Sequence, residues 1–161
     1  MWKNLVFLVA ILVASRFIGL PANFSPLLAL AVFMPRLTDN KHIQYLLPVS
    51  IIAFTNLFLE PVNGLILATM LMVFAVTPIV SRNSKNLFLG SFSAVLIWHI
   101  IVNGAVWFSS GGSLLQTYIA AIPFDFKLAV STGLYVSLFH YAENLFMSVT
   151  RTNIKLLDRL V

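Results

Sequence analysis

The chain has 161 residues, of which 60% are hydrophobic and only 9% are charged, and its formal net charge is +5. A soluble domain usually carries charge on about a quarter of its residues, so this chain has too few charges to cover a surface that faces water. This composition excludes a soluble nucleic-acid-binding domain, and the lack of cysteine excludes disulfides and thiolate metal sites. With a mean hydropathy of +0.95, the chain is predicted to be an all-α integral membrane protein, and its length favours one domain.

The first two apolar segments are short. Lys3, the apolar run 5–13 and the small residues Ala14 and Ser15 together match the pattern of a signal peptide, but we interpret residues 5–18 as the first membrane helix. Residues 25–34 form the second segment, with Ser25 predicted as the N-cap, Pro26 in the first turn and Pro35 as the stop. A helical crossing needs roughly 17 to 25 residues, so these two segments are either short crossings or a helical hairpin.

Four later segments are long enough to cross a bilayer. They cover residues 42–59, 63–80, 86–108 and 126–147. Each is bounded by polar or helix-breaking residues, and the prolines within them are tolerated as kinks in membrane helices. We therefore predict a transmembrane bundle over residues 1–147. Residues 148–161 form a basic amphipathic tail, which suits either an anionic lipid surface or a cytoplasmic partner.

The distribution of positive charge predicts the orientation, because Lys and Arg concentrate on the cytoplasmic side. In a bundle of six crossings with both termini inside, only Arg16 and Lys127 of the ten basic residues lie outside. A bundle of five crossings with the N-terminus outside also places all but two of the basic residues inside, and the two outside are then Lys3 and Lys127. We favour six crossings because a small bundle then closes evenly, and both versions place Trp107 and residues 123–127 at the outer face.

One apolar segment carries a polar stripe. His99, Asn103 and Trp107 are spaced four residues apart, so they share one face of a helix. Polar side chains are costly in hydrocarbon, so this face is expected to point into the bundle, and Gly104 allows a close neighbour there. The stripe predicts either part of a ligand pocket or an interhelical hydrogen bond with an interfacial tryptophan.

Further polar residues gather at the predicted outer ends of the helices, beside aromatic side chains. Small-molecule pockets are typically apolar and aromatic with a few directed polar groups. We therefore predict a substrate-binding site, although Asp125 could instead cap the last helix and Lys127 could extend to the surface. Its predicted residues are Asn23, His99, Asn103, Trp107, Phe124, Asp125 and Lys127, with Arg16, Glu60 and Asn63 at the same level.

The remaining signals are weaker. Ala10 and Ala14 form a small-xxx-small pair that favours helix contact. His140 and Glu143 lie three residues apart near the predicted inner end of the last span, and we interpret them as part of a polar collar rather than a metal site. The chain has no phosphate-binding glycine loop, nucleophile elbow or zinc-protease motif, so we expect neither an enzyme nor a bound metal or cofactor.

Three stretches carry a family resemblance. They are Asn23-Phe24-Ser25-Pro26 leading into residues 29–33, residues 102–107, and Tyr118 through Ala121-Ile122-Pro123-Phe124. In order and spacing they resemble a family of small bacterial inner-membrane proteins of unassigned function. That family is in turn similar to the substrate-binding S components of energy-coupling-factor vitamin transporters.

The resemblance covers roughly residues 14–140 and implies six helices, both termini inside and a ligand pocket toward the outer face. It also implies either a transmembrane partner with two ATPases or a solitary function. In S components an alanine pair on the first helix contacts the transmembrane partner, and Ala10 and Ala14 match that pattern.

The leading hypothesis is a substrate-capture protein for uptake of a small vitamin-like molecule that binds from outside. The alternative is a non-catalytic structural subunit of a larger membrane complex, in which the polar stripe would hold helices together. Both hypotheses place the chain as a multi-pass protein in the bacterial inner membrane, in contact with lipid.

Overall fold

The computed structural model describes the backbone at residue 10 and over residues 12–20, 23–59 and 61–157, with side chains as far as residue 144. Helix is the only regular secondary structure within these ranges. The first helix, α1, is described at residue 10 and over residues 12–15. The other helices are α2 (Leu27–Leu37), α3 (Lys41–Asn56), α4 (Gly64–Asn83), α5 (Leu87–Ser110) and α6 (Leu114–Leu157).

Asparagine side chains define the starts of three helices. Asn40, Asn63 and Asn86 are the N-caps of α3, α4 and α5, and the side-chain oxygen of each accepts hydrogen bonds from backbone N–H groups in the first turn. Capping satisfies donors that have no partner within the helix. The predicted starts at residues 42, 63 and 86 therefore lie within one residue of the observed ones.

The short helix α2 is the centre of the bundle. Its residues 27–34 are all buried, and the helix contacts α3, α4, α5 and α6. A helix that is apolar on every face belongs inside a protein, and 11 residues extend only about 16 Å, half the thickness of a bilayer core. The prediction that α2 stops at Pro35 was wrong: the helix continues through Pro35 to Leu37, because proline removes only one backbone donor.

Three helices are long and apolar enough to cross a membrane. They are α4 over Gly64–Asn83, α5 over Leu87–Ser110 and α6 over Leu114–Asn144. The all-helical architecture is therefore confirmed for the described residues. The helix α3 has 16 residues and extends about 24 Å.

The last helix begins twelve residues before its predicted start at residue 126. It runs without interruption from Leu114 through Pro123, so residues 123–127 form helical turns and not a loop. The three residues between α5 and α6 include Gly111, whose φ of +69° favours glycine and ends α5. Asp125 consequently lies in the helix interior and cannot be the N-cap that was one interpretation of it. The helix also continues into residues 148–157, whose side chains lie outside the described part.

Candidate functional site

A cavity of about 570 Å³ lies among the helices, on the side of the bundle that holds the turn between α5 and α6. We call it the Arg16 cavity. Its walls are mainly apolar and include the aromatic rings of Phe74, Trp98 and Phe124. The polar side chains that line it are Arg16, Asn23, Ser25, Asn103 and Thr117. Its volume lies within the roughly 300 to 1,000 Å³ typical of small-molecule sites.

Three of the predicted site residues form one hydrogen-bonded group, which we call the His99 cluster: His99, Asn103 and Asp125. The Nδ1 of His99 lies 2.7 Å from Oδ2 of Asp125, and Nδ2 of Asn103 donates to the same oxygen at 2.6 Å. Asn103 and Asp125 are buried, with 8% and 6% of their surface exposed. Buried polar groups need partners, and here the two donors from α5 meet a carboxylate from α6.

The hydrogen bond to Asp125 fixes the orientation of the Asn103 amide. The Nδ2 of Asn103 donates to Oδ2 of Asp125, so the NH₂ group of the amide faces the carboxyl group. The amide oxygen of Asn103 is then the atom left for other donors, on a side chain that lines the Arg16 cavity. The cluster thus holds a side chain of the cavity wall in one orientation.

The His99 cluster lies deep within the two longest helices. His99 is eleven residues before the end of α5, and Asp125 is eleven residues after the start of α6. At 1.5 Å per residue, both lie about 16 Å from the turn that joins the helices, a distance of about half the thickness of a hydrocarbon core. Ionisable groups at such depth are costly and are typically functional.

Tyr118 holds α6 against α5 beside the cluster. Its hydroxyl donates to the carbonyl oxygen of Ile100 at 2.7 Å, and its ring lies edge-on to His99 at 5.2 Å. A Cβ added to Gly104 would lie 3.2 Å from that hydroxyl. The prediction that Gly104 permits a close neighbour is therefore confirmed, and the neighbour is Tyr118.

The cation that lines the cavity is Arg16. Its Nη2 donates to the Oδ1 of Asn56 at 3.4 Å, a long contact between the end of α1 and the end of α3. Its Nε is buried and has no hydrogen-bond partner within the described part of the chain. A buried, unsatisfied guanidinium N–H is costly, so this donor marks a position where a ligand oxygen would be stabilised.

The other predicted site residues have different surroundings. Asn23 and Phe124 line the Arg16 cavity, and Asn23 adopts a left-handed conformation with a φ of +63°. Trp107 does not line the cavity: its Nε1 donates to the carbonyl of Gly112 at 2.9 Å and so stabilises the turn after α5. Lys127 is exposed, with its Nζ 5.7 Å from the centroid of the Phe124 ring.

Residues predicted to contact partners lie apart from the cavity walls. Ala10 and Ala14 are both exposed, as a helix contact with another protein requires. Asn63 caps α4 and is exposed, while Glu60 lies outside the described residues.

A second polar group lies at the opposite end of the bundle, and we call it the Arg36 cluster. Arg36 donates to Glu143 at 3.3 Å and to Nδ1 of His140 at 3.4 Å, and Nδ2 of Asn144 is 3.3 Å from Nε2 of His140. These side chains are largely exposed. Within residues 12–20, 23–59 and 61–144, no group of three or more metal-binding side chains comes together.

Between the two clusters, an open groove of about 770 Å³ runs along the outside of α5 and α6. We call it the α5–α6 groove. Its walls are apolar apart from His99 and Asp125 at one end, His140 at the other and serines between them. The His99 cluster therefore separates two spaces, since Asn103 faces the inner cavity while His99 and Asp125 border the outer groove.

Within the described residues the fold is all-helical, and three helices are long and apolar enough to cross a bilayer, which is typical of an α-helical membrane protein. The sequence matches, over residues 1–153, the family described as "Family of unknown function (DUF6580)", and the chain belongs to that family. No curated protein and no solved structure matches the chain.

Sequence reasoning found the polar stripe on α5 but missed the cavity face of α6. The residues of that face are Thr117, Ala120, Ala121, Phe124 and Leu128, which recur at the three- and four-residue spacings of a helix. This helical period could have been read from the sequence, had the last helix not been predicted to begin at residue 126. Arg16 was placed at the correct level, but its contact with Asn56, forty residues away, carries no local signal.

Proposed function

We propose that this protein captures a small, vitamin-like molecule from the outer side of a bacterial inner membrane and holds it in the Arg16 cavity. The observation that carries the proposal is the cavity itself. It combines aromatic and aliphatic walls with a few polar groups, and one of these, the Asn103 amide, is held in orientation by a buried carboxylate.

The proposal includes the membrane arrangement. In this account α1 to α6 cross the membrane or line its interior as a six-helix bundle, with both termini in the cytoplasm. The Arg16 cavity then lies toward the outside, because Arg36, Lys41, Arg82 and Lys85 mark the opposite end. The resemblance to S components supports the same arrangement, including a transmembrane partner with ATPases, for which Ala10 and Ala14 form the proposed contact.

No step in capture requires bond chemistry by this chain, so we propose a non-enzymatic role. Binding would order the ligand between α5, α6 and the end of α1, and inward release would need a conformational change driven by a partner. The site residues proposed are Asn23, Asn103 and Phe124 in the cavity wall, with His99 and Asp125 as positioning residues behind Asn103.

The alternative is a non-catalytic structural subunit of a larger membrane complex. The α5–α6 groove favours it, because the groove is open and apolar and contains exposed large side chains such as Phe88, Phe92 and Phe126. Such a surface suits a helix of another subunit. In that role the His99 cluster would only join α5 to α6.

The test is native mass spectrometry of the protein purified in lipid nanodiscs. We expect a copurified small molecule in the wild-type protein and a loss of about tenfold in its occupancy in Asn103→Ala, since a hydrogen bond in a buried site is worth about 1 to 1.5 kcal/mol. Ser109→Ala, an exposed change on the same helix, is the matched control. A protein without any bound small molecule that instead purifies with other subunits at fixed stoichiometry would favour the alternative.

A further inference from the structure

As far as the structure describes its wall, the Arg16 cavity carries more positive than negative charge, and Glu60 lies outside the described residues. Arg16 lines the cavity, whereas no acidic side chain does, within the part of the chain that the structure describes. Asp125 does not line the cavity, and its Oδ2 accepts hydrogen bonds from His99 and Asn103. Among the described residues, no ion pair joins Asp125 to Arg16.

The guanidinium also has hydrogen-bonding capacity that the protein does not use. Arginine has five N–H donors and stays protonated. The described residues provide Arg16 with one acceptor, Asn56 Oδ1 at 3.4 Å, and leave the buried Nε without a partner. A planar guanidinium with vacant donors matches the two oxygens of a carboxylate better than any neutral group.

The remainder of the cavity wall defines the other part of the ligand. The rings of Phe74, Trp98 and Phe124 favour a flat apolar body, and Phe74 and Trp98 already pack edge to face at 6.2 Å. The free amide oxygen of Asn103 accepts a hydrogen bond from an N–H or O–H group on that body.

We infer that the captured molecule is an anion, with a carboxylate or similar oxyanion bound by Arg16 and an aromatic or other flat apolar body against Trp98 and Phe124. This inference rests on the proposed function and narrows its substrate class. It makes Arg16 the residue that selects acids over the corresponding neutral amides.

The experiment uses 1-naphthaleneacetate and 1-naphthaleneacetamide, which share a ring system and differ in charge. Binding to the full chain in nanodiscs is measured by thermal stabilisation as a function of probe concentration. We expect the acid to bind about 10- to 100-fold more tightly than the amide, the size of a charge-assisted hydrogen-bonded pair. Arg16→Gln should abolish this preference, and Arg16→Lys, which keeps the charge, should retain part of it.

Lys127→Gln is the matched control, because Lys127 is a cation on α6 that lies over Phe124 but does not line the cavity. Its acid preference should equal that of the wild-type protein. Equal binding of acid and amide, binding of neither probe, or loss of the preference in Lys127→Gln but not in Arg16→Gln would overturn the inference.

A neutral molecule copurifying with wild-type protein would overturn the anionic class while leaving the proposed capture function intact. The absence of any bound molecule would contradict the capture function itself.

Discussion

The His99 cluster and the Arg36 cluster contain similar groups in different surroundings. Each joins a histidine to a carboxylate and an amide, and each includes a carboxylate on α6. In the His99 cluster the contacts to the carboxylate are 2.6 and 2.7 Å, and Asn103 and Asp125 are buried. In the Arg36 cluster the contacts are 3.3 to 3.4 Å and the Arg36 and Glu143 side chains are 44% and 33% exposed.

We infer from this difference that burial, more than residue type, determines how much a polar side chain contributes to the stability of this protein. Exposed ion pairs contribute little because water and salt compete with them. A buried group without its partner loses its hydrogen bonds outright. We therefore expect changes in the His99 cluster to alter both stability and the cavity, and equivalent changes in the Arg36 cluster to have a small effect on stability and none on the cavity.

The largest effect is expected from Asp125→Ala. It leaves the donors of His99 and Asn103 without their acceptor, so the free energy of unfolding should fall by about 2 to 4 kcal/mol. Glu143→Ala, the equivalent change on the same helix, should cost only about 0.5 kcal/mol. Reversible unfolding in mixed micelles measures both, and equal losses would contradict the comparison.

The second-largest effect is expected in the coupling free energy between a histidine and the carboxyl group it contacts. A double-mutant cycle on His99 and Asp125 should give a coupling free energy of about 1 to 1.7 kcal/mol, near the upper end for hydrogen bonds between membrane helices. The same cycle on His140 and Glu143 should give about 0.3 kcal/mol. A larger value at the Arg36 cluster would show that exposure is not the controlling variable.

Gly104 and Gly133 allow a comparison of a crowded and an open helical position. A methyl group at Gly104 meets the Tyr118 hydroxyl at 3.2 Å, so Gly104→Ala should destabilise the protein by about 1 kcal/mol despite the better helix propensity of alanine. Nothing lies within 4 Å of a methyl group at Gly133, also in a helix. Gly133→Ala should therefore stabilise the protein by up to about 1 kcal/mol. Both effects are read from melting temperatures, and the two variants shifting in the same direction would count against the account.

The smallest effect is expected at Trp107. Trp107→Phe removes the hydrogen bond to Gly112 at the exposed turn after α5, which should cost about 0.5 kcal/mol. Binding in the Arg16 cavity should be unchanged, because Trp107 does not line it. A loss of ligand as large as that of Asn103→Ala would show that Trp107 belongs to the binding site.

The helix starts and the polar stripe could be predicted because their signals are local. Asn63 and Asn86 precede apolar runs, and His99 and Asn103 share a face through the helical period alone. The acceptor for that stripe could not be predicted in the same way, since the last helix was predicted to begin only at residue 126, after Asp125. Only the packing of α5 on α6, including the Tyr118 bond to Ile100, shows that the helix continues and brings Asp125 to His99.

The complete burial of α2 also could not be predicted from sequence patterns. Its length and composition suit a short crossing, but its complete burial depends on contacts with four other helices. The Arg16 cavity has the same origin, because its walls come from parts of the chain as far apart as residues 16 and 128.

Cysteine accessibility tests the central proposal, that the Arg16 cavity takes up molecules from the outer side of the membrane. The chain has no cysteine, so single-cysteine variants have no background. Thr117→Cys places a thiol in the cavity wall, and Ile119→Cys places one on the exposed apolar face of the same helix. A membrane-impermeant, charged methanethiosulfonate added outside intact cells should modify Thr117→Cys rapidly and Ile119→Cys hardly at all, because thiolates form in water and not in lipid. An unreactive Thr117→Cys, or equal rates at both positions, would contradict the account.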